Sequence, residues 1–217
     1  MLFRSVLADV LDRASPGDTI LFVIAADGAD ATVLRVTDGI TQHRGTPTVR
    51  DQIAASSAVS YPDFLTWRGF LDREPPRRPD PARPAGPPSA RSERWKYAFE
   101  GSGCSGCGAV SIPPQRVCAT CTAVDRGDPV ALADRHATVT TFTIDRLAFS
   151  PSPPVIDVVL DFDGGGRYGC QLTDADPSSV AIGDRIEMTF RRMYTADGVH
   201  NYFWKARPIR EAVRDGQ

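Results

Sequence analysis

Four of the five cysteines stand as two C-x2-C pairs, Cys104/Cys107 and Cys118/Cys121, in the stretch CSGCGAVSIPPQRVCATC. Ten residues separate the pairs. Each pair can present two sulfurs from one tight knuckle, so that four thiolates meet tetrahedrally around a single ion. Gly103, Gly106 and Gly108 suit a backbone that must curl there. Structural zinc is the favoured occupant. Iron of the rubredoxin type shares the ligand geometry, and a thioredoxin-like dithiol would need one C-x2-C at a helix start in a βαβ setting. Four thiolates leave no open coordination position, so an ion held there stabilises structure and activates neither water nor a carbonyl.

Other residues that could do chemistry are scattered. Cys170 lies in RYGCQLTD with no histidine near it in sequence, which reads as a buried inert thiol. His43, His136 and His200 sit apart in turn-like surroundings, which reads as surface or structural. Gly164-Gly165-Gly166-Arg167 lacks the following Lys-Ser/Thr and helix of a phosphate loop, and is a hairpin turn. Asp157, Asp161 and Asp163 alternate along one segment as a solvated strand face rather than a calcium site. In FRRMYTADGVHNYFWKARPIR aromatics coincide with cations. An outward Phe203 beside Arg191, Arg192 and Lys205 would make a platform for single-stranded nucleic acid, whereas Tyr202 and Trp204 inside a barrel would make it packing. A net charge of −2 favours the second reading.

The elements that must position the cysteines follow from periodicity. From Asp128 onward the chain alternates at period two: HATVTTFTIDRL, then Ile156, Val158, Leu160 and Phe162 against Val155, Asp157, Val159 and Asp161, then RYGCQLTD, then Ile186, Met188 and Phe190, then Tyr202 and Trp204. Five short strands in about 80 residues joined by glycine turns suit a closed barrel of the OB type. ERWKYAFEG, with Trp95, Tyr97 and Phe99 at alternate positions, reads as a strand entering the first cysteine pair. Before it, residues 74–91 carry seven prolines and read as an extended Pro/Arg-rich linker. Tyr61, Phe64, Trp67 and Phe70 fall three apart and predict a short helix whose aromatic stripe packs on a neighbour.

At the other end, Val6, Leu7, Val10 and Leu11 predict a helix ending at Ser15-Pro16-Gly17, and DTILFVIAADGADATVLRVTD predicts a hairpin around Asp27-Gly28. Its first strand is apolar on both sides and needs two covers, which a helix and two strands alone cannot supply. The expected class is therefore mainly β with short α segments: a helix and hairpin, a rubredoxin-like zinc ribbon, and a five-stranded OB barrel. The expected divisions are 1–73, the linker 74–91, the ribbon 92–127 and the barrel 128–217. No apolar run approaches the roughly 18 residues that cross a bilayer, and paired cysteines in a chain of this length suit a cytoplasmic metal site.

The order of zinc knuckle, PPQRVC-x2-C, SPPVIDVVLDFDGGGR, AIGDRIEMTFRR and NYFWKARP over residues 92–210 resembles the DUF35 family of acyl-CoA-associated zinc-ribbon OB-fold proteins. That resemblance implies a noncatalytic subunit that docks on thiolase-superfamily enzymes, with Cys104, Cys107, Cys118 and Cys121 holding structural Zn2+ and a CoA thioester at the partner interface. LADVLDRASPGDTILFVIAADGADATVLRVTD resembles the C-terminal helix and last two strands of a thiolase-like or 3-hydroxy-3-methylglutaryl-CoA synthase-like condensing enzyme. The nucleophilic cysteine and polar partners of such enzymes match nothing in this chain. Residues 1 to about 72 are thus expected to complete, or remain from, a thiolase-like fold whose catalytic residues lie in a partner chain. The alternatives are the tail of a condensing enzyme and a single-stranded nucleic-acid-binding module.

Overall fold

The computed structural model describes residues 2–42, 47–56, 58–74, 77, 79 and 81–209. They fall into two compact units that divide after Ala58. His43 lies outside the described residues.

The first unit opens with helix α1 (Leu2–Arg13), as the apolar spacing requires, and Gly17 at φ 91° turns the chain beyond it. Strands β1 (Thr19–Ala25) and β2 (Ala29–Arg35) pair antiparallel without a bulge, from Thr19↔Arg35 to Ala25↔Ala29. The turn closes through Ala26 N–H donating to the Gly28 carbonyl at 2.8 Å. A further helix, α2 (Val49–Ala54), escapes apolar periodicity because it is under two turns long. What makes it is a capping box, in which the Thr48 hydroxyl accepts from Asp51 N–H and the Asp51 carboxylate accepts from Thr48 N–H. Val49 N–H donates to Asp12 at 2.8 Å, tying α2 to α1.

The second unit begins with α3 (Tyr61–Arg68), capped by Ser60 and ended by Gly69 in the left-handed region. The helix is as expected, but it belongs to the C-terminal unit, and its stripe is not buried: Tyr61 is 71% exposed and Phe70 72%. The proline-rich segment also departs from an extended linker. Its end coils into α4 (Gly86–Arg91), because Pro87 and Pro88 occupy the first turn, where a missing N–H costs nothing. Tyr194 Oη donates to the Ala82 carbonyl at 3.1 Å and fixes the described part of the segment.

The expected strand over ERWKYAFEG is instead α5 (Glu93–Ala98). Periods of two and of 3.6 both bring residues four apart to one side, so Trp95 and Phe99 fit either pattern. Tyr97 decides between them, since in the helix it turns away and is half exposed, while Trp95 stacks on Phe99 at 5.4 Å.

The ribbon is a three-stranded antiparallel sheet in the order β4-β3-β5, from β3 (Glu100–Cys104), β4 (Val110–Ser111) and β5 (Gly127–Ala131). The barrel follows: β6 (Ala137–Asp145), β7 (Val155–Phe162), β8 (Arg167–Leu172), β9 (Arg185–Ala196) and β10 (Val199–Pro208). It closes in the order β10-β8-β7-β6-β9, antiparallel except where β10 runs parallel to β8 at Ala206↔Leu172. That is the five-stranded Greek-key barrel of the OB fold. The five strands are those read from the alternation. Val139, Ile156, Val158, Leu160, Phe162, Leu172, Ile186, Met188 and Ala206 point inward and form its core. Among the described residues no helix is long and apolar enough to cross a membrane.

The turn between β7 and β8 joins barrel to ribbon. Gly164, Gly165 and Gly166 take φ of 83°, 100° and 103°, and Phe162 N–H donates to the Gly166 carbonyl at 2.9 Å. A Cβ on Gly166 would lie 2.9 Å from Ile112 Cδ1 and 3.1 Å from Val110 Cγ1, the side chains of and just after β4. Gly183 shares the backbone conformation, with φ 99°, but faces open space. Gly166→Ala is therefore expected to cost about 2–4 kcal/mol, strain plus overpacking, and Gly183→Ala about 1–2 kcal/mol of strain alone. Urea denaturation of the metal-loaded protein measures both; equal losses would contradict the packing role of the turn.

Candidate metal centre

Two knuckles of the same design bring the cysteines together. In the first, Gly108 N–H donates to the Cys104 carbonyl at 2.8 Å and Cys104 N–H to the Ala109 carbonyl at 2.9 Å. In the second, Thr122 N–H donates to the Cys118 carbonyl at 2.9 Å and Cys118 N–H to the Ala123 carbonyl at 3.0 Å. The residue after each pair enters the left-handed region, Gly108 at φ 75° and Thr122 at φ 60°. The other two glycines serve packing. A Cβ on Gly106 would lie 3.6 Å from Cys104 Sγ, and one on Gly103 would meet Val130 at 2.9 Å.

The four sulfurs lie within 4.8 Å of one another, with Cys104–Cys121 and Cys107–Cys118 both at 3.6 Å. A tetrahedral ion bound at about 2.3 Å to each sulfur requires edges of about 3.8 Å, so the donor set can hold one. Cys104 and Cys118 are buried, while Cys107 and Cys121 reach the surface. Around them Ser102 Oγ accepts from Gln115 N–H at 3.1 Å, and Arg116 grips Asp125 through two bonds of 2.8 and 2.7 Å. These contacts brace the segment between the cysteine pairs.

Residues 129–191 match the family model of the C-terminal OB-fold domain of ChsH2. A DUF35 domain-containing scaffold protein of Methanocaldococcus jannaschii is 29% identical over 126 residues, 56% of this chain and 89% of the relative. One of the same description from Methanothermobacter thermautotrophicus is 28% identical over 120 residues, 52% of this chain and 88% of the relative. These matches support the resemblance of the C-terminal part of the chain to the DUF35 family. Two solved structures are similar at a lower level. The Ltp2-ChsH2(DUF35) aldolase matches at 16% identity and a TM-score of 0.43, over 55% of this chain and 89% of that one. A DUF35 protein of unknown function from Sulfolobus solfataricus matches at 19% and 0.32, over 45% and 84%. The OB assignment rests on the barrel's own strand order rather than on these two.

Electrostatics in this chain favour a cation among the sulfurs. The amides of Cys121 and Thr120 hold Cys118 down at about 6. At Cys107 the Ala109 amide favours the thiolate, but the Cys121 thiol, loss of solvent, and the Cys118 and Cys104 thiols together push it up to about 12. One thiolate forms readily and the next must form against it, so full ionisation of the group calls for a positive ion at its centre.

The remaining candidates stay apart from this group. His200 Nδ1 meets Thr195 Oγ1 at 2.9 Å, and His136 serves through its carbonyl, which accepts from Asp163 N–H. Asp161 is bound bidentately by Arg167, and Asp163, in the turn after β7, pairs with Arg185, so ion pairs take up two of those three aspartates.

Phe203, outward in the nucleic-acid alternative, lies half-buried at 5.2 Å from Trp95, and Trp204 Nε1 donates to the Lys96 carbonyl at 3.1 Å. Arg191 pairs with Asp174, and burial holds Lys205 below the ordinary lysine range. The platform expected of a strand-binding face is thus spent on internal packing. Tyr202, expected inside the barrel, instead reaches solvent in a row with Tyr97 and Phe190, and Phe190 stacks on it at 5.8 Å. Alternation along the sequence does not show this row, because Tyr97 joins it from α5, a helix.

Cys170 is half-buried in the barrel wall, where loss of solvent pushes its thiol up to about 12. In metal-stripped protein at pH 8, with the ribbon opened and the barrel still folded, iodoacetamide is expected to label the four ribbon cysteines and to modify Cys170 roughly a thousandfold more slowly than a free thiol. Peptide mapping before and after denaturant checks this; native-state labelling of Cys170 at the ordinary rate would contradict it.

Proposed function

We propose that this chain is a noncatalytic scaffold subunit that docks on a thiolase-superfamily enzyme and supports acyl-CoA condensation or thiolysis, the reactive residues lying in the partner chain. The observation that carries this reading is the match, over nearly nine-tenths of their length, to relatives described as DUF35 scaffold proteins. The match of residues 129–191 to the ChsH2 C-terminal OB-fold domain supports it. So does the chemistry of the cysteine group: four sulfurs around one zinc ion fill its coordination shell and leave it no site for substrate. The CoA thioester sits, in this reading, at the interface with the partner, and the complex works in the reducing cytoplasm, where the thiols stay available to metal.

Zinc held by Cys104, Cys107, Cys118 and Cys121 supplies on the order of 10 kcal/mol to folding of a ribbon too thin to have its own core. Protein purified without chelator is expected to carry one zinc per chain by elemental analysis. Cys118→Ser is expected to abolish retention and to speed amide exchange across residues 100–131. An unchanged exchange pattern after complete metal removal would sink the structural role. As pH falls, protons compete for the thiolates, so retention is lost on the acid side and regained as pH rises.

For the docking itself, tagged full-length chain drawn from its native host is expected to carry a thiolase-superfamily enzyme with it, and condensing or thiolytic activity to appear in the complex and not in the chain alone. Turnover of acyl-CoA by the purified chain would favour the condensing-enzyme alternative. Salt-dependent oligonucleotide binding without such a complex would favour the nucleic-acid one.

A further inference from the structure

The hairpin of the first unit is under-built for its composition. β1 reads TILFVIA, seven residues with no charge, no proline and no bulge. Its alternate residues Ile20, Phe22 and Ile24 are half-buried, whereas Leu21 is 66% exposed, Val23 54%, and Val33, across from Leu21 in register, 69%. Among the described residues β1 and β2 form a sheet of two strands only, and Ala14 and Val36 are the buried hydrophobic residues of the unit. A two-stranded sheet is marginal on its own, and three or more strands with a covered apolar face are needed for stability. Strands apolar on both faces belong inside layered sheets.

The two edges of the hairpin differ. Protective devices on free edges are charges, proline, bulges or short length. β2 carries Asp30, Thr32 and Arg35 and fits an outer edge. β1 has none of these devices. We propose that β1 is added as a strand to the sheet of a partner protein, one that offers an uncharged sheet edge to β1 and an apolar layer to Leu21, Val23 and Val33, with β2 becoming the new outer edge.

A second copy of this chain fits less well. A two-fold axis that pairs β1 with its equivalent leaves the Leu21/Val23/Val33 face open, and one that packs those faces leaves both β1 edges bare. Three aliphatic side chains also fall well short of the roughly 800 Å² per partner that a stable interface buries. A partner with its own sheet and covering layer answers edge and face together. The inference deepens the docking reading and rests on it only for which protein the partner is.

The test uses full-length chain, free and in the complex recovered above. Amide exchange over residues 19–25 is expected to slow at least tenfold on complex formation. The double variant Leu21→Asp/Val33→Asp, at positions exposed in the free chain, is expected to keep its circular dichroism and zinc content while binding about 100-fold more weakly. A complex with unchanged exchange and unchanged affinity overturns the strand addition and leaves the docking reading standing.

Should no thiolase-superfamily enzyme bind, the docking reading falls, and a photo-crosslinker at Leu21 in the native host decides the hairpin separately. A crosslinked peptide from a strand or covering helix of another protein's sheet sustains the proposal. Crosslinks to a second copy alone, or none, overturn it. Slow, concentration-independent exchange over 19–25 in the free monomer also overturns it.

Discussion

The C-terminal unit depends on one side chain, Phe99. It is the residue at which α5 ends and β3 begins, it sits at φ 51°, and it has no exposed surface. Its ring lies 5.4 Å from Trp95, 5.3 Å from Tyr168, 5.4 Å from Trp204 and 6.0 Å from Phe162, so helix, ribbon entrance and three barrel strands meet on it. The left-handed backbone costs about 1–2 kcal/mol for a residue with a side chain. Full burial of a phenylalanine returns roughly 2–3 kcal/mol, and the aromatic contacts add to that. Strain at the junction is therefore offset locally, and the chain can turn sharply from helix into ribbon with no glycine there.

The ribbon exit is held at the same place. Leu132, fully buried just beyond β5, donates its N–H to the Phe99 carbonyl at 3.2 Å. Both ends of the ribbon are thus clamped to the barrel, and Val110 and Ile112 rest on the triple-glycine turn at its other side. Between these anchors the ribbon offers almost no apolar interior of its own. The sulfur cluster takes the place of a core at the far end, and the barrel supplies one at the near end. A module held by its cysteine knuckles is fixed in this way to one that folds by hydrophobic burial.

Much of this was legible in the residues. Two C-x2-C pairs located the cysteine group because knuckle geometry depends on spacing that sequence displays directly. Ile156 to Phe162 announced a barrel strand because its two faces differ in solvent. What stayed hidden depended on neighbours. Trp95 and Phe99, four apart, satisfy strand and helix equally, and only Tyr168 and Trp204, far away in sequence, decide which is formed. Pro87 and Pro88 looked like helix breakers because composition does not say that they stand in a first turn. The stripe from Tyr61 to Phe70 has helical spacing, yet periodicity identifies a face without saying what covers it.

Charge is where pattern and structure part most instructively. FRRMYTADGVHNYFWKARPIR holds the densest mixture of cations and rings in the chain, and by composition alone it resembles a phosphate-tracking surface. Arg191, Arg185, Arg167 and Arg207 each meet a carboxylate, at Asp174, Asp163, Asp161 and Glu187. Such pairs at the surface contribute little stability, but they cancel the local field on which polyanion binding relies. Exposed neutral side chains include Tyr97, Phe190 and Tyr202 beside the barrel, and Leu21, Val23 and Val33 on the hairpin. Surfaces of that kind recognise by burial rather than by steering, which suits the proposed docking role.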